Sequence, residues 1–406
     1  MIRNIKNLGI GLLIAQFVSI IIQLVIARNY SPKNLGEYSL TMQIGTIFSI
    51  VFFLRREYFI VEIKHKILAL FYINQSVITG LKRLLPSLIL AIIINFFFKK
   101  VTIDILLFSI SFGILLSYNI SLQQILNMQN RFLKSGISEV INKVIYLLAL
   151  LICANFSRFN FNYISLSFLI ALVGRMIYSL YEQKHFPFKK RIKKNSELFK
   201  QQLDGLTLKG KTLSKNNAIA SISGLLPMLY VMNIYSSEDL GYFTMSETLL
   251  SLPITIIGNS ISQVLYKYIS DNVNLVNTKE INKILLLLIL SSLCFLVLYP
   301  FGSFLITTIL GTKWGNCINV LYILIPNYII SYISKPFERN CYIFGKPNWH
   351  IISAVIKLSF ILIAIFISLI LQLSFMYYLS IFSLLTGLHY LIDFVYNYKL
   401  IYVNKK

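Results

Sequence analysis

Three basic side chains, Lys143, Arg175 and Lys357, interrupt long apolar runs, and a basic pair, Arg55-Arg56, closes another just before Glu57. Inside a bilayer an ionisable group costs about 2.5–3.5 kcal/mol, so it faces a cavity or a partner. Cations so placed suit an anionic cargo, and arginine's planar fork matches phosphate oxygens in particular. The plainer alternative is that these long side chains reach back to the headgroups. Lys357 lies about eight residues, or about 12 Å of helix, from the end of its run. Arg175 is nearer its end and Lys143 nearest of the three. Arg55 and Arg56 can also be an ordinary basic anchor at a membrane surface, with Glu57 neutralising one of them.

Catalytic chemistry is harder to find. The four cysteines (Cys153, Cys294, Cys317, Cys341) show no paired spacing, and the four histidines (His65, His185, His350, His389) are scattered. No zinc, haem or disulfide pattern emerges from them. Neither paired carboxylates nor an acidic metal motif is present, so no metal, no cofactor and no enzymatic activity are expected.

Composition says which elements must hold the cations. The 406 residues are 56% hydrophobic, 14% aromatic and only 13% charged, too little polar surface for a soluble protein of this size. Runs such as LGIGLLIAQFVSIIIQLVI (8–26) and IISAVIKLSFILIAIFISLILQL (351–373) match the ~20 helical residues that cross a bilayer core. The expected fold is an all-α polytopic membrane protein of about twelve transmembrane helices. They centre near Phe17, Thr46, Ala91, Gly113, Leu148, Leu169, Gly224, Ile257, Ile289, Leu324, Phe360 and Phe382. Those near Gly224 and Ile257 are short or polar-rich, and the break between the last two, at Gln372 to Ser374, is faint.

Charge sets the orientation. With the N-terminus in the cytoplasm, 29 Lys and Arg fall on the cytoplasmic side and 6 on the other, so both termini are expected to be cytoplasmic. The formal charge of +23 is therefore a topological signal, and no nucleic-acid partner is expected. Arg3 and Lys6 before the first run resemble a signal peptide. The run is too long for one and lacks a small-residue cleavage site, so a retained first span is expected. The basic segment Glu182 to Lys215 carries Phe199, Leu203 and Leu206 at helical spacing. A short helix on an anionic leaflet or a solvated linker would each explain that pattern.

One short string occurs twice, half a chain apart: YSPKNLGEYS from Tyr30 and YSSEDLGYFT from Tyr235. Both copies fall in outer loops, before the second and the eighth spans, so the offset preserves direction across the membrane. The chain reads as two parallel halves. They are a six-helix lobe at 1–181, a basic cytoplasmic linker at 182–215, a second six-helix lobe at 216–398 and a cytoplasmic tail at 399–406. Gly36 and Gly241 are expected to make a tight turn at the helix boundary. Two lobes around a central cavity that opens to each side in turn make a transporter.

Several strings carry a family resemblance. ARNYSPKNLGEYSL resembles the outer end of the first span pair in Wzx-type polysaccharide-repeat (O-antigen) flippases, of the multidrug/oligosaccharidyl-lipid/polysaccharide exporter superfamily. FFLRREYFIVE is similar to the stretch after their second span, and LQQILNMQNRFLKSGISEV to the loop after their fourth. SETLLSLPITIIGNSISQVLY resembles their eighth span and LGTKWGN a turn after the ninth. Two departures stand out: a doubled arginine at Arg55-Arg56 where the family pattern has one, and a first span without a charged residue.

The resemblance implies translocation of an undecaprenyl-pyrophosphate-linked oligosaccharide across the bacterial inner membrane, for O-antigen lipopolysaccharide or capsule. It implies membrane lipids, a polysaccharide polymerase and a chain-length regulator as partners, and H+, Na+ or the membrane potential as the source of coupling. On that reading Arg55, Arg56, Arg175, Lys357 and Lys143 are candidates for the pyrophosphate. Gln16, Gln23, Gln43, Asn259 and Gln263 are candidates for sugar contacts, with helix packing as the alternative. Glu37 and Glu247 are candidates for an outer gate or a coupling ion, or simply face water.

Two rivals fit less well. A cation-coupled drug exporter of the same superfamily wants a carboxylate deep in its cavity, whereas Glu37, Asp104, Glu247 and Asp393 are read near span ends. A membrane polymerase or glycosyltransferase needs a sizeable outer loop with catalytic groups, and the outer loops here are short.

Overall fold

The computed structural model describes residues 2–63, 66–154, 162–183, 197–271 and 278–403, though not every side chain within them. Among these residues every element is helical. The chain divides into two compact units, 1–225 and 226–406.

The first unit holds α1 (Ile2–Asn29), α2 (Pro32–Phe53), a 3-10 turn (Arg56–Glu62), α3 (Lys66–Leu81), α4 (Leu84–Phe97), α5 (Ile103–Met128), α6 (Phe132–Ala154) and α7 (Tyr163–Gln183). The division falls inside α8 (Glu197–Ile234). The second unit continues with α9 (Ser237–Pro253), a π-turn (Ile254–Gly258), α10 (Asn259–Asp271), α11 (Thr278–Ser292), a 3-10 turn (Leu293–Val297) and α12 (Leu298–Ile309). It closes with α13 (Cys317–Ser334), α14 (Asn340–Ile343), α15 (Asn348–Ile370) and α16 (Phe375–Val403).

Among the described residues eight helical stretches are long and apolar enough to cross a membrane, lying in α5, α6, α7, α8, α11–α12, α13–α14, α15 and α16. All twelve expected centres lie on helical backbone. Those near Ala91 and Ile257 lie on broken helices, and proline explains the breaks. Pro86 cannot donate to the carbonyl four residues back, and the helix is interrupted at Lys82-Arg83 between α3 and α4. Pro253 and Pro300 do the same, before the π-turn and after the second 3-10 turn. The stretch before Arg83, expected as loop, is mostly the helix α3. The C-terminal part of the basic segment is helical too, and runs without a break into the span around Gly224 as α8.

The repeated string turns out to be a helix start written twice. Ser31 Oγ accepts from the backbone N–H of Asn34 at 3.3 Å, and Ser236 Oγ accepts from that of Asp239 at 3.0 Å. Each serine is the N-cap of the helix that follows, α2 or α9. The preceding tyrosines serve as matching struts: Tyr30 donates to the carbonyl of Leu150 at 2.8 Å and Tyr235 to that of Leu373 at 2.9 Å. Gly36 and Gly241 do not form the turn. Both are buried a turn inside their helices, and the glycines with positive φ are Gly311 and Gly345.

In the first unit α2 and α5 pack backbone to backbone. A Cβ on Gly113 would stand 2.7 Å from the Gly45 carbonyl oxygen and 2.8 Å from the Ser49 nitrogen. Ser109 donates to the Thr41 carbonyl at 3.0 Å, and the Ser49 and Ser117 hydroxyls pair at 2.7 Å. Small residues of this kind let membrane helices approach closely. In the second unit Ser246 and Ser383 join α9 and α16 to α13, through the carbonyls of Cys317 and Ile323. Large apolar side chains such as Phe96, Phe97 and Phe366 face outward, as lipid-facing residues do.

Candidate functional site

Among the described residues, a buried arginine pair stands where α2 ends. Leu54 and Arg55 both take left-handed backbone conformations, φ 51° and 52°. For residues with a Cβ that conformation costs about 1–2 kcal/mol each, and such strain clusters at functional sites. The reversal tucks Arg55 and Arg56 inward, leaving them 6% and 8% exposed. Glu57 is fully buried, and Arg55 Nη1 stands 3.6 Å from its carboxylate. Arg55 also lies over the Tyr58 ring at 5.6 Å. Burial pushes the Glu57 carboxyl up to about 7, an effect the Arg55 charge partly offsets.

A third arginine completes the group. Arg83 donates to the Phe52 carbonyl at 3.2 Å, satisfying one of the last acceptors of α2. Burial and the neighbouring Arg56 charge pull its pKa below the ordinary arginine value. Gly210 of α8 closes the other side, where a Cβ would stand 2.8 Å from the Leu54 carbonyl and 3.1 Å from Arg56 Cγ. The Nε atoms of Arg55 and Arg56 are buried with no partner in the protein, as is Ser76 Oγ of α3. Buried donors without acceptors suit an anion.

Arg175 sits elsewhere, inside the first unit and already partnered. Its Nη2 donates to Glu139 at 2.6 Å and to Gln123 at 2.9 Å, and Gln123 donates to Glu139 at 3.2 Å. One ion pair thus joins α5, α6 and α7. Lys143, one turn beyond Glu139 and half-buried, adds its charge to the same group. In the second unit Lys357 donates to Tyr390 Oη at 3.1 Å. Glu247 and Glu338 are close enough for their charges to act on it. Glu247 accepts from Tyr328 at 3.3 Å, and Glu338 pairs with Lys335 at 2.5 Å. Glu139 and Glu247 each stand against a basic group, because an uncompensated charge away from water is expensive.

Three comparisons bear on identity. The family model described as lipid II flippase MurJ matches residues 59–319, well over half of the chain. This chain belongs to that family. Its fold is similar to a lipid II flippase MurJ in an inward closed conformation, with a TM-score of 0.72 at 13% identity over 98% of this chain and 89% of that one. It is also similar to a MOP superfamily transporter from Pyrococcus furiosus, with a TM-score of 0.56 at 13% identity over 99% of this chain and 96% of that one. An outward-facing multidrug resistance MATE transporter gives 0.57 at 13% identity with the same coverage. No curated protein matches in sequence. Membership makes the chain a multi-pass membrane transporter of the flippase type and not an enzyme. The resemblance to Wzx-type flippases is right at the level of the superfamily, while the family shown is that of MurJ.

Within this family member the remaining sequence candidates divide by surroundings. Gln43 donates to the Ser221 carbonyl at 3.0 Å and packs on Gly224, so it joins α2 to α8. Gln16 is exposed, and Gln23 keeps a buried Oε1 with no partner in the protein. Asn259 and Gln263 lie on α10, and their side chains fall outside the described residues. Glu37 is half-buried on α2 and lines a cavity. Arg83 and Glu139 were missed because each was read as the limit of a loop. Glu139 had a signal, a lysine four residues on at the spacing of helical neighbours. Arg83 had none, since capping α2 from α3 is a contact at long range.

Proposed function

We propose that this protein moves an undecaprenyl-pyrophosphate-linked oligosaccharide repeat unit from the cytoplasmic to the outer leaflet, by alternating access of two six-span lobes, for surface polysaccharide assembly. The observation that carries the reading is the arginine turn, where Arg55 and Arg56 keep buried Nε atoms unmatched within the protein and Arg83 stands beside Arg56. By the charge rule this turn faces the cytoplasm, where such a substrate is loaded. Its arginines bind the pyrophosphate. Arg175, Lys143 and Lys357 serve instead as fixed counter-charges that hold helices within their own units. Both termini are cytoplasmic. The family match favours a second reading, in which the cargo is lipid II itself.

Deletion of the gene separates these readings. Accumulation of lipid-linked repeat units on the inner leaflet, with loss of surface glycan, is the expected result. Accumulated lipid II with failing cell walls would select the second. Normal glycan with lost drug resistance would overturn both. For the site, Arg56→Gln with Arg83→Gln is expected to lower export at least tenfold while the protein still inserts. Full activity of that double variant would rule out the arginine turn.

A further inference from the structure

One cavity of the first unit takes no part in the charge groups above. It has a volume of about 560 Å3 and lies among the last residues of α1 and α6 and the first of α2, α5 and α7. That falls within the ~300–1,000 Å3 of small-molecule sites. The wall is built from Asn29, Lys33, Glu37, Asp104, Asn162 and Tyr163 among others. Its frame is held by bonds that need no ligand. Asn162 donates to the Asn34 carbonyl at 3.0 Å and accepts from the Ser165 backbone at 3.3 Å, tying the start of α7 to that of α2. Thr102 caps α5 and Ser31 caps α2.

The lining selects the occupant. Lys33 stands against two carboxylates, so the formal balance is negative and disfavours phosphate or an acidic group. The helix starts around the cavity already carry their own caps, so they do not call for an anion. Amide, carboxylate and hydroxyl groups make the wall unsuited to an acyl chain. The volume is far larger than a metal ion needs. Carboxylate and amide side chains beside a tyrosine ring match adjacent hydroxyls on the edge of a flat molecule. We infer that this cavity binds a short neutral saccharide. The charge rule places it on the outer side, where it would receive the glycan head of the cargo after translocation, so its use in transport rests on the flippase reading.

The test uses full-length protein in lipid nanodiscs and ligand-observed saturation-transfer NMR. The neutral probes are lactose and diacetylchitobiose; a glucuronate-containing disaccharide is the acidic probe. At least one neutral probe is expected to bind and the acidic one not to. Glu37→Gln with Asp104→Asn should weaken binding at least tenfold at an unchanged melting temperature. Asp104→Asn alone, at an exposed position, gives the same reading with a smaller loss if the double variant folds poorly. Absence of binding by both neutral probes, preference for the acidic one, or unchanged affinity in Asp104→Asn overturns the inference. Translocation of lipid-linked glycan is measured separately in cells. Sugar binding without translocation would sink the flippase reading and leave the cavity, whereas translocation without sugar binding would do the reverse.

Discussion

Two carboxylates, Glu139 half-buried and Glu57 fully buried, stand at different distances from their cations. Glu139 stands 2.6 Å from Arg175, so removing either partner strands the other's charge. Glu139→Gln is expected to lower the melting temperature in detergent more than the double variant with Arg175→Gln does. A thermal double-mutant cycle should return a coupling of about 0.5–3 kcal/mol. Glu57 has its cation at 3.6 Å and no hydrogen-bond partner for either oxygen within the protein. Its carboxyl is raised from 4.5 to about 7, so the folded protein holds this proton more tightly than the unfolded chain. The stability it confers is complete below about pH 4.5 and is lost as pH rises through about 7. Between pH 5 and 8 the wild type should lose up to about 3 kcal/mol on this account. Glu57→Gln should flatten that slope in a pH series of melts; an unchanged slope would refute the assignment.

At the scale of elements, caps and close approaches decide where helices start and how near they lie. Ser31→Ala and Ser236→Ala should each cost about 1 kcal/mol, read from thermal melts. Tyr235→Phe should cost about 0.5–1.5 kcal/mol, because the half-buried Leu373 carbonyl loses its donor. Glycine is required where α2 meets α5. A methyl at Gly113 meets backbone on two sides, while one at Gly302 meets only the Tyr322 side chain, at 3.2 Å. Gly113→Ala should therefore destabilise by about 1–3 kcal/mol and Gly302→Ala by less. Comparable melting temperatures for the two would contradict the packing described.

At the scale of the molecule, orientation is the property that the proposed direction of transport needs. Lys33 and Lys211 are both exposed and both lie in the first unit. In a cysteine-free background, Lys33→Cys should react with an impermeant maleimide on intact cells. Lys211→Cys should react only after permeabilisation. The reverse pattern would turn the arginine turn outward and end its role as the loading site. The family match constrains this scale too, since a flippase must present cargo to both leaflets in turn.

The sequence alone determined that the chain is helical and membrane-embedded, because apolar content and the length of apolar runs act locally and need no partner. It also showed one short string written twice, half a chain apart. Tertiary structure decided what the repeat does, since the hydroxyls of Tyr30 and Tyr235 find carbonyls more than a hundred residues away. It likewise decided which cations are already partnered. Arg175 and Arg56 look alike in a string of letters, and each keeps a buried Nε without a partner in the protein, yet one is ion-paired to a carboxylate of a neighbouring helix and the other sits in a left-handed turn beside a second arginine. Charge pairing depends on distances of a few ångströms between segments far apart in the chain, and only the packed helices set those distances.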